Sequence, residues 1–389
     1  MNIKLSKIKL LNFRGIVALV QFFLVLPIAL IAKIFIRDFW LVYEDRMEAR
    51  DNGYWFFKYV RENYPQQKIA YAIDRNSVDF EKVNKLGKTI QTGSWKHWFW
   101  YLTAKKLISS QNDGKPNDLA CYIVEVLIPI WRNKRYFLQH GITINDGKWL
   151  YYSKTKFCLF VCGAKAEQDF VQEKLGYPNS VVQYLGFTRF DQLHNFKVDK
   201  DLILVMPSWR GWIARGLKKD SDFPSTEYFI RWNEFLRSPE LARILNKFDK
   251  NLLFFPHRNM QKYLHFFGSD CERIEIAGSE KYDIQEILKK SALMITDYSS
   301  VFFDFAYMKK PVLFYQFDEE EFRARQYQEG YFDYHNNPLG VWSGTIDDLL
   351  SLLEKRIQDG FPNNDHVTEF FELYDQNNCE RNYRAIRNA

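Results

Sequence analysis

Four places in this 389-residue sequence carry side chains that could handle a phosphate and a proton. The densest is the stretch 293–315. A short apolar run, Leu293, Met294 and Ile295, gives way to Thr296, Asp297, Ser299 and Ser300. Val301, Phe302, Phe305 and Met308 then recur at helical spacing. Lys309 and Lys310 suit the last turn, and Pro311 closes it before a second apolar run from Val312 to Tyr315. The pattern predicts strand, tight turn, helix and strand, a right-handed parallel unit. Its turn sets two hydroxyls and several backbone N–H groups at a helix N-terminus. Donors and helix dipole both favour an anion such as phosphate there. The plain alternative is an ordinary serine N-cap.

The other three places also follow apolar runs. His140 comes directly after the run 135–138 and Gln139, and Gly141 leaves its side chain uncrowded. An imidazole at a strand end can take a proton, although a lone histidine can equally be a hydrogen-bonded structural residue. Arg210 follows the run 201–206, and His257 with Arg258 follows the run 251–255. If these loops adjoin along one sheet edge, cations and hydroxyls converge on one crevice, a composition that suits a pyrophosphate. No nucleophile elbow is present, so the Ser-His-Asp and Cys-His hydrolase geometries have no support. The sequence shows no P-loop, no zinc pattern and no internal repeat.

Positioning these residues requires strands alternating with helices. In the first half, 68–73, 106–109, 135–138, 157–161 and 181–185 read as strands; in the second, 201–206, 251–255 and 273–276 do, with a helix at 282–290. Such alternation predicts doubly wound parallel sheets with function at the strand C-ends. A chain of this length is long for one core and comfortable for two. The expected division is a basic, apolar membrane-associating segment over 1–40, a Rossmann-like domain over 41–195 and a second over 196–389. A closing helix over 365–374 would cross back onto the first. Asp51 or Asn52 should cap a helix that carries Trp55, Phe56, Tyr59 and Val60. The acidic run 318–321 reads as a solvated loop or helix start.

The formal charge of +6 is too dispersed to argue for nucleic acid. It suits an anionic membrane surface or phosphorylated substrates. Lys4, Lys7, Lys9 and Arg14 precede an almost wholly apolar stretch, 15–32, followed by Lys33, Arg37 and more apolar residues through Val42. Basic residues interleaved with Leu, Phe and Trp favour a segment lying in the interface of the cytoplasmic leaflet; one transmembrane span and a soluble core helix are the alternatives. A cleavable signal is weakly encoded. The five cysteines, at 121, 158, 162, 271 and 379, read as buried free thiols in a reducing compartment.

From about residue 41 to about 375 the chain resembles the CDP-glycerol glycerophosphotransferase family of wall teichoic acid primases and polymerases, and the related capsule polymerases. The most specific piece is Ile295-Thr-Asp-Tyr-Ser-Ser-Val-Phe-Phe-Asp-Phe305. Leu138-Gln-His-Gly-Ile-Thr143 matches the family's His-Gly motif, with Gln139 where many members have Trp. Phe255-Pro-His-Arg258 matches its Pro-His motif, with Arg258 in place of a second Pro. Ser208-Trp-Arg210 matches its aromatic-Arg motif, with Trp209 where Tyr is common. Asp51-Asn-Gly53 and Gly186-Phe-Thr-Arg-Phe-Asp191 are further family elements.

The resemblance implies an α/β fold of GT-B type, two Rossmann-like domains facing a cleft. It implies transfer of glycerol phosphate, or ribitol phosphate in some members, from its CDP-activated form to a hydroxyl of a lipid-linked saccharide or polyol-phosphate acceptor. CMP is the other product. The family's two functional histidines map onto His140, the expected base, and His257. Arg210, Arg258, Thr296, Asp297, Ser299 and Ser300 are the expected contacts to the CDP-polyol phosphates, with Gly141 and Asp304 as further candidates. No metal site is expected and no cofactor is called for, although Mg²⁺ could accompany the diphosphate. The competing enzymatic reading is a GT-B glycosyltransferase using a nucleotide sugar, with Glu319, Glu320 or Glu321 on the ribose. A non-catalytic membrane scaffold is the reading from another class. Oligomeric state stays open.

Overall fold

The computed structural model describes residues 12–111, 114–127 and 134–389; Lys4, Lys7 and Lys9 lie outside them. Thirteen strands are described, in two wholly parallel sheets. The first holds β1 (Phe39–Tyr43), β2 (Lys68–Ile73), β3 (Thr89–Gln91), β4 (Lys106–Ser109), β5 (Arg135–Phe137), β6 (Leu159–Cys162) and β7 (Val182–Tyr184), in the order β3-β2-β1-β4-β5-β6-β7. The second holds β8 (Asp199–Val205), β9 (Asn251–Phe254), β10 (Ile274–Ile276), β11 (Ser291–Thr296), β12 (Val312–Tyr315) and β13 (Val341–Ser343), in the order β10-β9-β8-β11-β12-β13. Each is a doubly wound α/β sheet, and loops at the strand C-ends of both meet at one cleft. The fold class is the expected one.

The helices that matter for the site are α1 (Phe13–Phe35), α2 (Asn52–Asn63), α3 (Trp95–Thr103), α4 (Asp118–Leu127), α5 (Lys165–Leu175), α6 (Ile284–Lys290), α7 (Phe302–Tyr307), α8 (Glu319–Arg325) and α9 (Asn378–Asn388). Asp51 caps α2, its carboxylate accepting from the Asn52 N–H. Ser94 caps α3.

Several details differ from the sequence reading. Phe39 and Trp40 do not extend the apolar segment; they open β1, a fully buried strand paired on both sides. A boundary at residue 40 therefore falls inside a central strand. The helix over 365–374 shrinks to Val367–Phe370, and the helix packed on α2 is α9. The run 318–321 is a helix start, that of α8, although Asp318 is buried rather than solvated. Among the described residues no disulfide is formed, but Cys158 is exposed, one residue before β6 begins, and Cys271 is only half-buried.

Helix α1 is 23 residues long, with a mean hydropathy of 2.6 over its most apolar window. Gly15, Ala18, Phe22, Val25 and Ala29 recur at spacings of three and four and are buried against the first half. The Phe22 ring meets Trp98 of α3 at 5.5 Å. The opposite face leaves Val20, Phe23, Leu24, Ile28, Ile31 and Ile34 exposed. By length and composition this helix is a candidate membrane anchor, and it lies along the protein body.

Candidate active site

The cleft between the halves encloses a cavity of about 240 Å³. Its first wall is the loop after β5. Gln139 there has a positive φ of 61°, a strained conformation for a residue with a side chain. Three hydrogen bonds hold it. Its side chain donates to the Thr143 hydroxyl (2.7 Å) and accepts from the His140 N–H (2.9 Å). Its carbonyl accepts from the Asn52 side chain, which also donates to Leu138. The Thr143 N–H donates to Glu167 (2.7 Å), whose other oxygen accepts from Gly163. Burial raises the Glu167 pKa to about 7, with the two amide donors working against the rise. This scaffold turns His140 out into the cleft.

His140 is open to the cavity, with Trp149 stacked beside it at 6.2 Å and 24°. Enclosure by the surrounding cleft walls, reinforced by Arg189, lowers its pKa to about 4, so it is neutral at neutral pH. One ring nitrogen bonds the Ser110 carbonyl. A carbonyl only accepts, so that nitrogen carries the proton and the other keeps its lone pair.

His257 stands on the opposite wall, with Trp209 stacked beside it at 6.1 Å and 25°. Its Nδ1 accepts from the Asn259 N–H at 3.2 Å, which places the proton of the neutral ring on Nε2. Burial, with Arg258 next in sequence, lowers this pKa to about 4 as well. The two histidines are thus neutral in complementary forms, one with a free lone pair and one with a free N–H.

The floor is the loop 297–301. Ser299 and Ser300 line the cavity, and neither caps α7; the N-cap position is Val301, without a side-chain bond. Among the described residues, their hydroxyls and backbone N–H groups have no acceptor. Gly141 closes over them from the first half. A Cβ on Gly141 would lie 2.9 Å from the Ser300 Oγ, so a side chain there would turn that hydroxyl to another rotamer.

Five of the expected site residues, His140, Gly141, His257, Ser299 and Ser300, therefore line one cavity. The others do not line it. Arg210, expected on the diphosphate, is fully buried between Asp297 (2.9 Å) and Asp318 (2.7 Å). Burial pulls its pKa down, and the two carboxylates more than offset this. Asp297 is buried there and also accepts from the Ser208 and Tyr298 N–H groups. Thr296 is buried, its hydroxyl donating to the Met206 carbonyl. Asp304 receives two bonds from Arg189, at 2.6 and 2.7 Å, and Arg189 also reaches Asp51 at 2.9 Å. That triad ties the halves together. Arg258 stands on the rim, exposed, 3.5 Å from Asp45 and 3.9 Å from Glu48 of the first half.

The site also contains residues the sequence reading did not single out for it. Trp149 and Trp209 flank the histidines, and Tyr298 stacks on Phe322 at 3.8 Å. Asn145 accepts from Arg323 at 3.0 Å across the cleft. A strand-end position could have flagged Trp209; nothing in the local sequence marks Trp149 or Asn145. Among the described residues no group of three or more His, Cys, Asp or Glu side chains is arranged to hold a metal ion.

Solved structures share this fold. The wall teichoic acid polymerase TagF superposes with a TM-score of 0.63 at 14% identity, over 91% of this chain and 89% of that one. A UDP-GlcNAc 2-epimerase of Methanocaldococcus jannaschii does so with a TM-score of 0.54 at 12% identity, over 91% of this chain and all of that one. In sequence, the minor teichoic acid biosynthesis protein GgaB of Bacillus subtilis is 30% identical over 378 residues, 90% of this chain. The chain spans 40% of that protein's length. A teichoic acid poly(glycerol phosphate) polymerase of Bacillus spizizenii is 28% identical over 82% of each chain. The sequence model of one family matches residues 175–388, which take in His257, Ser299 and Ser300. The chain belongs to the CDP-Glycerol:Poly(glycerophosphate) glycerophosphotransferase family.

Proposed function

We propose that this protein transfers glycerol phosphate from CDP-glycerol to a hydroxyl of a lipid-linked, teichoic acid-like or capsule acceptor, releasing CMP. One observation carries the reading: two neutral histidines face one cavity from opposite walls, one offering a lone pair and the other an N–H. Family membership supplies the donor class, and the relatives named for teichoic acid support the acceptor class.

In this mechanism the Ser299 and Ser300 hydroxyls and N–H groups bind oxygens of the diphosphate. The acceptor hydroxyl enters beside His140. Its oxygen attacks the phosphorus that bears glycerol as its proton passes to the free His140 nitrogen. The bond from that phosphorus to the bridging oxygen breaks, and CMP leaves with the electron pair. His257 donates its Nε2–H to the charge that develops on the leaving phosphate. His140 then returns its proton to water. A Mg²⁺ ion, if present, would be carried by the diphosphate and its water shell.

The body sits at the cytoplasmic membrane surface, held by α1 lying in the interface through its free apolar face. Burial of 28% of the α1 window against the protein supports lying over spanning.

The test follows CMP release with CDP-glycerol and, separately, CDP-ribitol on a defined acceptor, with mass analysis of the product. Ribitol-phosphate polymerases stand among the relatives, so both donors belong in the assay. His140→Ala should lower turnover by about a hundred- to ten-thousand-fold. Near-normal turnover of that variant would remove the base assignment. Release of UDP or GDP from a nucleotide sugar, with none of CMP, would replace the reading with a glycosyltransferase.

A further inference from the structure

Of the described non-glycine residues with a positive φ, Gln139 alone borders the cleft cavity. That conformation is unfavourable for a residue with a side chain, and glycine would adopt it freely. The position carries a glutamine all the same, and its side chain is almost wholly buried. The order of its hydrogen bonds shows what the side chain adds. The His140 N–H can only donate, so the amide atom facing it at 2.9 Å is Oε1. That fixes the amide, and Nε2 faces the Thr143 hydroxyl at 2.7 Å. The hydroxyl accepts there, which turns its own proton to Glu167 in the first turn of α5. The Thr143 N–H reaches the same carboxyl at 2.7 Å. On the backbone side, the Gln139 carbonyl accepts from the Asn52 amide, whose Oδ1 takes the Arg189 N–H at 3.1 Å. Gln139 is thus fastened to α5 through its side chain and to the residue that ties the two halves through its backbone.

The consequence falls on His140. Its ring is held at one nitrogen by the Ser110 carbonyl, and its backbone N–H is held by the Gln139 Oε1. These two points together set where the lone pair of the other nitrogen is aimed. With the second point lost, the peptide joining 139 and 140 can turn, and the ring leaves the Ser110 carbonyl or re-aims. Proton transfer needs its heavy atoms within hydrogen-bond reach, and a misplacement of about 1 Å lowers a rate by about a hundredfold. We propose that Gln139, acting with Thr143, is a positioning residue for His140, aiming the free imidazole nitrogen at the acceptor hydroxyl. It acts through His140 and not on the substrate. The proposal rests on the function given above and adds what holds the base in line.

Variants of the full chain separate the hydrogen bonds from the strain. Gln139→Gly removes both side-chain bonds and relieves the backbone, whereas Gln139→Met removes the bonds and keeps the strain. Thr143→Val takes away the hydroxyl, and Thr143→Ser keeps it. In CMP release, kcat of Gln139→Gly, Gln139→Met and Thr143→Val should fall by about ten- to a hundredfold, with KM for CDP-glycerol unmoved. Thr143→Ser should turn over at close to the wild-type rate. Circular dichroism checks that each variant is folded; should Gln139→Met fail to fold, Gln139→Gly and Thr143→Val still carry the test. A second readout needs no turnover. With histidine labelled by nitrogen-15, and His140→Ala to assign the signals, the wild-type His140 ring should show one tautomer at neutral pH. The three impaired variants should show a mixture of two. Gln139→Gly at the wild-type rate would mean that the loop needs only its backbone shape and would overturn the proposal. So would Thr143→Val as active as Thr143→Ser, a donor KM that rises as kcat falls, or a single unchanged tautomer in the variants. No CMP release by the wild type, with the tautomer change still present in the variants, would sink the function and leave Gln139 as the residue that orients this ring.

Discussion

Both halves run a central strand into a helix at the cleft edge, and they fill the helix start in opposite ways. In the first half, Glu44 follows β1 and turns its carboxylate back onto the start of α2. It accepts from the N–H groups of Arg50 (3.2 Å), Asp51 (3.4 Å) and Tyr54 (2.9 Å), and from the hydroxyls of Tyr71 (2.7 Å) and Ser110 (3.1 Å). The anion there is built in. In the second half, Asp297 follows β11 and turns away, to Arg210 and the Ser208 N–H. The donors of Ser299 and Ser300 are left for something else. One half satisfies its own helix start, and the other keeps it open for an anion from outside. Under the proposed function, that difference would place the donor diphosphate in the second half and leave the first for the base and the acceptor.

The largest effect should come from Arg210, which keeps Asp297 turned away. Arg210→Met leaves Asp297 and Asp318 buried without their cation. Removing one partner of a buried ion pair costs about 3–5 kcal/mol. Urea unfolding should show a loss of that size. A stability within about 0.5 kcal/mol of wild type would mean that the two carboxylates are not held as charges, and the contrast with Glu44 would lose its basis.

The sequence made this contrast only half visible. The open helix start was legible because apolar run, hydroxyls and helical spacing follow one another within 20 residues. The filled one was hidden, because Phe39 and Trp40 merge with the apolar residues of α1 and conceal the strand that ends at Glu44. Arg210 was legible as a strand-end cation but misplaced, since its partner Asp318 lies 108 residues away. Arg189 belonged to a quoted motif, yet its partners Asp304 and Asp51 are 115 and 138 residues distant. Sequence pattern shows which groups reach a strand end. Whether such a group faces ligand or a distant carboxylate is settled by packing.

The two helix starts can be compared directly by a pair of variants. Glu44→Gln keeps the shape and removes the charge that five donors share. It should destabilise the fold by about 1–3 kcal/mol and leave KM for CDP-glycerol unmoved. The Ser299→Ala/Ser300→Ala variant should do the reverse, with stability within about 0.5 kcal/mol and donor KM raised at least tenfold. Urea unfolding and initial rates read the two quantities. If Glu44→Gln raised the donor KM as much as the serine variant does, the diphosphate would not belong to the second half alone.

The smallest effect concerns pH, and it reads the two histidines against each other. A histidine with the ordinary pKa near 6.5 would lose half its base form at that pH. His140 and His257 are both depressed to about 4, by enclosure between the cleft walls first and then by Arg189 or Arg258. Their neutral forms therefore persist on acidification, and kcat/KM should stay flat from pH 8 to about pH 5 before falling through about pH 4. Stability follows the same sign. Between about 6.5 and 4 the unfolded chain binds protons on these rings and the folded chain does not, so stability is lost as pH falls through that window. Circular dichroism at each pH separates unfolding from loss of base. Arg258 lowers both pKa values, as the second cause at His257 and a lesser one at His140. Arg258→Ala should therefore move the acid limb upward, by less than about one pH unit, with the alkaline side unchanged. An acid limb at 6.5 in the wild type would mean that the cleft opens to water in solution, and that neither wall holds its histidine in the enclosure from which the assignment of base and donor is drawn.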